Sequence, residues 1–163
     1  MEDILGSELV TEGATTKPLA EALAGVEFVG LYFGAHWAPC CRRFTNEFLS
    51  RWYATVNEDG KKFEVVFVSK DGNQAAFDRN FANMPWTAIQ YDNEPRKKQL
   101  EQRYGIMEIP KLIILKAADG TLVSDDGESD FQDKGAAAIL QEWRAKGQQE
   151  EAKEEAKEEE SKQ

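Results

Sequence analysis

Residues 28–42 read FVGLYFGAHWAPCCR, and the order of their residue types decides how the chain is expected to fold. The run at 28–33 is almost continuously apolar and rich in β-forming residues, which is typical of a strand covered on both faces. Beyond Pro39, apolar residues recur every four positions and place a stripe along one side of a helix: Phe44, Phe48, Trp52 and Val56. The sequence therefore predicts a buried strand followed at once by an amphipathic helix, with two adjacent cysteines at the turn.

The same alternation of strand and helix patterns continues along the chain. Residues 63–68 form a second apolar run, and a strand, helix and strand in this order imply parallel pairing. The predicted elements that follow are a helix at 75–81, an extended piece at 87–91, a helix at 94–104, a β-hairpin at 111–123 and a closing helix at 136–143. This order predicts an α/β fold with a central mixed sheet flanked by helices.

The length of 163 residues fits a single domain. We expect an N-terminal segment at 1–25, which has a weak pattern with one turn of helix or a loop at 17–23, and the folded domain at 26–147. Residues 148–163 contain seven Glu and three Lys and have no large apolar side chain to bury. The sequence predicts that this acidic tail is helical or disordered.

Composition excludes several classes of function. Lys and Arg number 20 against 30 Asp and Glu, so the net charge of −10 disfavours nucleic acid as a partner. No apolar run approaches the roughly 18–20 residues of a membrane span, and the first residues lack the features of a secretory signal, so a cytoplasmic protein without membrane contact is expected. Two adjacent cysteines and one His are too few ligands for structural zinc, and neither a metal nor a cofactor is expected.

Residues 33–42, in which Trp37 precedes Ala-Pro-Cys-Cys-Arg, resemble the active-site segment of the thioredoxin superfamily. The similarity is greatest to the tryparedoxin and nucleoredoxin branch, whose motif is Trp-Cys-Pro-Pro-Cys followed by Arg. Three further motifs agree with that branch in the same order: residues 63–71, Met84-Pro85-Trp86, and Tyr104-Gly105-Ile106 leading to Ile109-Pro110. The resemblance covers residues 28–123 and implies a thioredoxin-like fold.

The resemblance also implies which residues form the site. The Ile109-Pro110 peptide bond is implied to be cis and to face the active site, and Trp86 is implied to lie near the active-site surface. A protein partner, a protein disulfide or glutathione is then expected in a groove formed by six residues: Trp37, Ala38, Pro39, Ile109, Pro110 and Trp86. Lys111 adds a charge beside this groove and would alter which partner surfaces it accepts.

The sequence departs from the family motif at the residue on which the family reaction depends. That reaction needs a thiolate at the first Cys, at a helix N-terminus that lowers its pKa, and a second Cys to resolve the mixed disulfide. Here Ala38 occupies the first position, Cys41 the second, and Cys40 stands where the family has its second Pro. The usual dithiol cycle therefore lacks its attacking atom.

Cys40 is not expected to replace that atom. Successive helical residues turn by about 100°, so Cys40 points roughly 160° away from position 38. A Cys40–Cys41 disulfide is also disfavoured, because adjacent Cα atoms lie about 3.8 Å apart whereas disulfides prefer about 4.4–6.8 Å.

Two hypotheses of function follow. In the first, Cys41 or Cys40 has a pKa lowered by the helix start and by Arg42 and Arg43, and forms a mixed disulfide with glutathione or a partner protein as a one-thiol enzyme. In the second, Cys41 is a buried, inert thiol, and the thioredoxin-like groove binds a protein partner or an assembly without turnover. His36 serves the first hypothesis if it lies near the thiol, and otherwise fills the turn.

Overall fold

The computed structural model describes residues 1–162, and its centre is one mixed sheet of seven strands. The strands are β1 (Glu8–Thr11), β2 (Thr15–Pro18), β3 (Phe28–Gly34), β4 (Phe63–Ser69), β5 (Thr87–Ala88), β6 (Lys111–Lys116) and β7 (Leu122–Ser124). Their order across the sheet is β2-β1-β5-β4-β3-β6-β7. The α/β class and the thioredoxin-like fold are confirmed.

The two apolar runs of the sequence form the centre of the sheet. β3 and β4 pair in parallel, β6 runs antiparallel on the other side of β3, and every residue of β3 and β4 is buried. Both faces of these strands are covered by helices, which explains why their sequences are largely apolar rather than alternating. The polar exceptions in β4 are Glu64 and Ser69, which are also buried. The parallel pair places the ends of β3 and β4, with the loops that follow them, at the same edge of the sheet.

Eight α-helices flank the sheet among the described residues, and a short 3-10 helix, Glu12–Ala14, connects β1 to β2. The α-helices are α1 (Glu2–Leu5), α2 (Leu19–Ala22), α3 (Pro39–Arg43), α4 (Ser50–Val56), α5 (Gln74–Phe81), α6 (Glu94–Arg103), α7 (Gly127–Lys134) and α8 (Ile139–Ser161). A π-helical stretch, Phe44–Leu49, joins α3 to α4, so one helical segment runs from Pro39 to Val56. The predicted helices are found as α3 to α4, α5, α6 and α8, whereas α7 is absent from the sequence prediction.

The N-terminal segment contributes more than a loop or a turn of helix. β1 and β2 form an antiparallel hairpin, and Val10 of β1 pairs with Ala88 of β5. Leu9 is completely buried, but most of β2 is exposed, so the apolar alternation is too short to indicate strands in the sequence. The sheet therefore begins within residues 1–25, while the domain boundaries at residues 25 and 147 stay predictions.

An aromatic cluster anchors α8 to the sheet. The Trp143 ring is fully buried and lies 5.5 Å from Phe28, 5.2 Å from Phe63 and 5.2 Å from Phe131, measured between ring centroids. Its indole N–H donates a hydrogen bond to Asp130 at 3.1 Å. This packing holds the first turns of α8 in place.

Beyond that cluster, α8 continues through most of the acidic tail. Arg144 pairs with both carboxylate oxygens of Glu27 at 2.6 and 2.7 Å, and Lys116 pairs with Glu151. Past Glu151 the helix is largely exposed.

Among residues 1–162, no helix is both long enough and apolar enough to cross a membrane.

Candidate active site

The candidate site lies at the edge of the sheet where β3 ends and α3 begins. Ala38 is the N-cap residue of α3, with an extended backbone, and its carbonyl oxygen accepts hydrogen bonds from the N–H groups of Cys41 at 3.0 Å and Arg42 at 3.2 Å. Pro39 follows as the first helical residue, where its missing N–H and fixed φ suit the helix start. The side chain at position 38 therefore sits at the positive end of the helix, and it is a methyl group.

The two cysteines have opposite environments. Cys40 is exposed, whereas Cys41 is buried with 2% of its surface accessible, and both are free thiols. They differ because neighbours on a helix point about 100° apart, so one faces solvent when the other faces the core. Only Cys40 is open to a partner from solvent.

Burial raises the pKa of the Cys41 thiol, and hydrogen bonds from the Ala35 backbone and the Tyr32 hydroxyl oppose this rise only in part. For Cys41, the first hypothesis with its lowered pKa is therefore wrong, and the structure has the buried thiol of the second hypothesis. The cations expected to lower it are engaged elsewhere: Arg42 donates to the His36 carbonyl oxygen at 2.6 Å, and Arg43 pairs with Glu47 at 3.0 Å. Cys41 remains a protonated, buried thiol at neutral pH.

The Tyr32 side chain lies directly beneath the start of the helix. Its hydroxyl donates to the Cys41 carbonyl oxygen at 3.2 Å and shares a 2.8 Å hydrogen bond with the Thr45 hydroxyl. Gly34 makes room for the ring, since a Cβ atom there would lie 2.7 Å from Tyr32. Burial raises the pKa of the Tyr32 phenol far above its ordinary value, so Tyr32 acts as a neutral hydrogen-bond donor and not as a proton acceptor.

Asp71 anchors the loop that carries the site. Its carboxylate accepts hydrogen bonds from the backbone N–H of His36 at 2.8 Å, the hydroxyl of Ser69 at 2.6 Å and the amide of Asn80 at 3.2 Å. Trp37 is held from the same loop, because its indole N–H donates to the Lys70 carbonyl oxygen at 3.0 Å. The loop after β4 thus sets the position of the loop after β3.

Replacing Asp71 with Ala is expected to lower the free energy of unfolding by about 2 kcal/mol, because one buried and two partly buried donors lose a charged acceptor. Urea denaturation followed by circular dichroism measures this change. Asp78→Ala is the matched control, since Asp78 is exposed and accepts one hydrogen bond from Gln74; its effect should stay within about 0.5 kcal/mol. Equal stabilities for the two variants would contradict the anchoring role.

The Ile109-Pro110 segment lies beside this loop. Its peptide bond is cis, both residues are half-buried, and Lys111, which follows, pairs with Phe33 near the end of β3. Trp37, Ala38 and Pro39 therefore share one end of the sheet with Ile109-Pro110. Trp37 is 63% exposed and Pro39 is exposed, whereas Ala38 is only 8% exposed.

Trp86 does not belong to this surface. It is 3% exposed and packs edge-on against Tyr53 at 5.5 Å between ring centroids. Its position near the active-site surface, which the resemblance implies, is wrong because the aromatic core between the sheet and α4 encloses the ring.

Lys111 does not present a free charge to the groove. Its ammonium group lies 3.4 Å from Glu128 and 3.9 Å from Asp126, and Glu128 also accepts a hydrogen bond from the Leu112 N–H. The Lys111 charge is therefore largely balanced from α7.

His36 and the acidic groups do not form a metal centre. The His36 side chain is exposed, and it is the backbone of this residue that Asp71 and Arg42 hold. Within residues 1–162, no cluster of three or more His, Cys, Asp or Glu side chains is arranged to hold a metal ion.

Comparison with known proteins finds relatives of this chain by sequence and by fold. A family model described as thioredoxin-like matches residues 25–122. Nucleoredoxin of Danio rerio is 43% identical over 106 residues, which are 65% of this chain and 25% of that protein. The chain thus spans about a quarter of the length of the nucleoredoxin it matches.

Solved structures of tryparedoxins have the same fold. Native tryparedoxin I from Crithidia fasciculata superposes with a TM-score of 0.73 and 28% identity, covering 83% of this chain and 92% of that one. Tryparedoxin II complexed with glutathionylspermidine has a TM-score of 0.70 and 26% identity, with 80% and 88% of the two chains covered.

Proposed function

This chain belongs to the thioredoxin-like family, in the branch of the nucleoredoxins and tryparedoxins, and we propose that it binds a protein partner or a thiol compound without a dithiol cycle. Its active-site end, with Trp37, Ala38, Pro39 and Ile109-Pro110, is the binding surface. Its thiol chemistry is limited to exchange by one sulfur.

One observation carries this proposal: the helix start has a methyl group at position 38 and a buried thiol at Cys41. A dithiol cycle needs an exposed thiolate to attack and a second thiol within reach to resolve the mixed disulfide. Ala38 supplies no sulfur. Cys41 has little accessible surface, and its raised pKa keeps its side chain in the unreactive thiol form. The first requirement is therefore unmet at the helix start, where the helix dipole would stabilise an attacking thiolate.

The binding part of the proposal rests on exposure and rigidity. The Trp37 indole is 63% exposed, yet its N–H is tied to Lys70, and its loop is tied to Asp71. A large aromatic surface held in one orientation loses little entropy on binding. Tryparedoxin II, a structural relative, has been solved with glutathionylspermidine, which supports a thiol compound or a cysteine-containing polypeptide as the partner class here.

Insulin reduction tests the absence of the dithiol cycle. The unaltered chain is expected to add nothing measurable to the reduction of insulin by dithiothreitol. Sustained turnover above that background would contradict the proposal.

A second candidate function, one-thiol exchange at Cys40, is favoured by the exposure of that thiol. In this step the Cys40 thiolate attacks one sulfur of glutathione disulfide, the disulfide bond breaks, and one glutathione leaves as the thiolate while the other stays bound to Cys40. A second glutathione molecule from solution reverses the reaction. Cys41 takes no part in either direction.

Alkylation of the folded chain with iodoacetamide at pH 8 should modify Cys40 at least about tenfold faster than Cys41, since burial and a raised pKa protect Cys41. Because the Cys41 pKa is raised, its labelling should begin only at a higher pH than that of an ordinary thiol. Peptide mass spectrometry after timed quenching measures both rates, and Cys40→Ser and Cys41→Ser serve as matched controls. Comparable labelling of the two thiols at pH 8 would contradict the one-thiol assignment.

A further inference from the structure

An open cavity of about 440 Å³ lies beside Trp37, between the loops after β3 and β4 and the helix α5. His36, Trp37 and Asp71 line one side, and Ala76, Arg79 and Asn83 line the other. Four of these side chains are exposed, namely His36, Trp37, Arg79 and Asn83, so the cavity is accessible from the proposed binding surface.

Arg79 brings an unbalanced positive charge to this cavity. Within residues 1–162, its guanidinium forms no ion pair, although Asp78 is its neighbour in sequence. Three other cations near the site are paired: Arg43 with Glu47, Lys70 with Glu101, and Lys111 with Glu128. Arg42 has no ion pair within residues 1–162, but its guanidinium donates a hydrogen bond to the His36 carbonyl oxygen at 2.6 Å. The chain as a whole has a net charge of −10, but a guanidinium without an ion pair attracts anionic groups to its own cavity.

The carboxylate already present in the cavity, that of Asp71, does not form an ion pair with Arg79. Asp71 is 6% exposed, and its oxygens accept hydrogen bonds from His36, Ser69 and Asn80. Its oxygens are therefore occupied by these three donors and form no ion pair with Arg79, which leaves the guanidinium donors of Arg79 for a ligand.

We propose that this cavity binds a carboxylate carried by the peptide partner, with Arg79 as the receiving group and the Trp37 ring packed against the adjoining peptide. A guanidinium binds a carboxylate through two parallel N–H···O hydrogen bonds, and an indole face suits a planar amide. This inference rests on the proposed function, since the partner must reach Trp37, and it adds a substrate class: peptides with an acidic group near the thiol. Glutathione and an acidic side chain in a polypeptide carry the same group.

Titration with ligands that have no reactive thiol tests the inference apart from any redox chemistry. The first pair is S-methylglutathione and its diethyl ester, and the second is a capped pentapeptide with one Asp and its Asn counterpart. The reporter is the indole N–H resonance of Trp37 in a ¹H–¹⁵N correlation spectrum. Each ligand is titrated into the unaltered chain, into Arg79→Gln, and into Arg51→Gln as the matched control, because Arg51 is an exposed arginine on α4 that does not line the cavity.

Arg79→Gln is expected to weaken the binding of the carboxylate ligand by about tenfold, the loss of one charge-assisted contact, while Arg51→Gln changes it less than twofold. The ester or Asn ligand should bind the unaltered chain as weakly as its acidic partner binds Arg79→Gln. If only S-methylglutathione binds more tightly than its ester, the carboxylate ligand is a free tripeptide. If only the Asp pentapeptide binds more tightly than its Asn counterpart, the carboxylate belongs to a polypeptide.

The inference is overturned if Arg79→Gln binds both acidic ligands as tightly as the unaltered chain does, or if neither acidic ligand binds. An unchanged correlation spectrum away from the cavity shows that the variant is folded. Insulin turnover by the unaltered chain would refute the proposed function and leave this binding result standing by itself.

Discussion

Ala38→Cys is expected to give this chain an insulin-reducing activity about 100-fold or more above the detection limit, where the unaltered chain has none that is measurable, because it supplies the nucleophile that the reaction lacks. The substituted residue is the N-cap of a helical segment that runs to Val56, so the dipole and free N–H groups at the helix start stabilise the introduced thiolate. Cys41 lies three residues further on and becomes the resolving thiol. The measurement is the rate of insulin precipitation with dithiothreitol as reductant.

Two variants separate this explanation from an indirect effect of the substitution. Serine resembles cysteine in size and polarity but has no sulfur. The insulin-reducing activity of Ala38→Ser should therefore equal that of the unaltered chain. The double variant Ala38→Cys, Cys41→Ser has an attacking thiol but no resolving thiol. Its insulin-reducing activity should be well below that of Ala38→Cys alone. High activity in Ala38→Ser, or none in Ala38→Cys when that variant is folded, would show that the missing sulfur is not what limits the reaction.

Trp143→Ala is expected to lower the free energy of unfolding by about 3–5 kcal/mol, the usual cost of removing a large aromatic side chain from a core. The ring is fully buried among Phe28, Phe63 and Phe131, and its N–H donor is paired with Asp130. A loss of this size is a large part of the 5–15 kcal/mol typical of a domain, so α8 should also loosen from the sheet. Urea denaturation gives the change in stability.

The matched control is Trp37→Ala, which removes the same side chain from an exposed position. Because Trp37 is 63% exposed and makes one hydrogen bond to Lys70, about 1 kcal/mol should be lost. A similar loss for the two tryptophans would mean that the aromatic cluster does not hold α8.

The parts of the fold that were predictable are those with a strong local pattern. β3, β4 and the helix after them each carry a long apolar run or stripe, and such patterns follow directly from burial on one or both faces. α7 has one fully buried large apolar residue, Phe131, so its sequence has no periodicity to detect. The β1–β2 hairpin is short and mostly exposed, and it is stabilised by pairing with β5 from a distant part of the chain.

The candidate site shows the same division. The segment from Trp37 to Cys41 was found because its motif is contiguous. Asp71, by contrast, is 35 residues away from the His36 N–H that it holds, and only the parallel pairing of β3 with β4 brings the two loops together. The signal in the sequence for Asp71 was its place as a polar residue just after a buried strand. Such a residue is expected near the site, because loops at the carboxyl ends of parallel strands meet at one edge of the sheet.

The sequence by itself determined which atoms are present, namely a methyl group at position 38 and two adjacent thiols after it. Its apolar runs predicted an α/β fold, and its motifs resembled those of the thioredoxin superfamily. The tertiary structure decided how those atoms behave. It buries Cys41 and raises its pKa, exposes Cys40, encloses Trp86 and brings Arg79 and Trp37 to the same cavity. The reason is that residue identity is local, whereas solvation and charge at a group depend on segments that meet only when the chain folds.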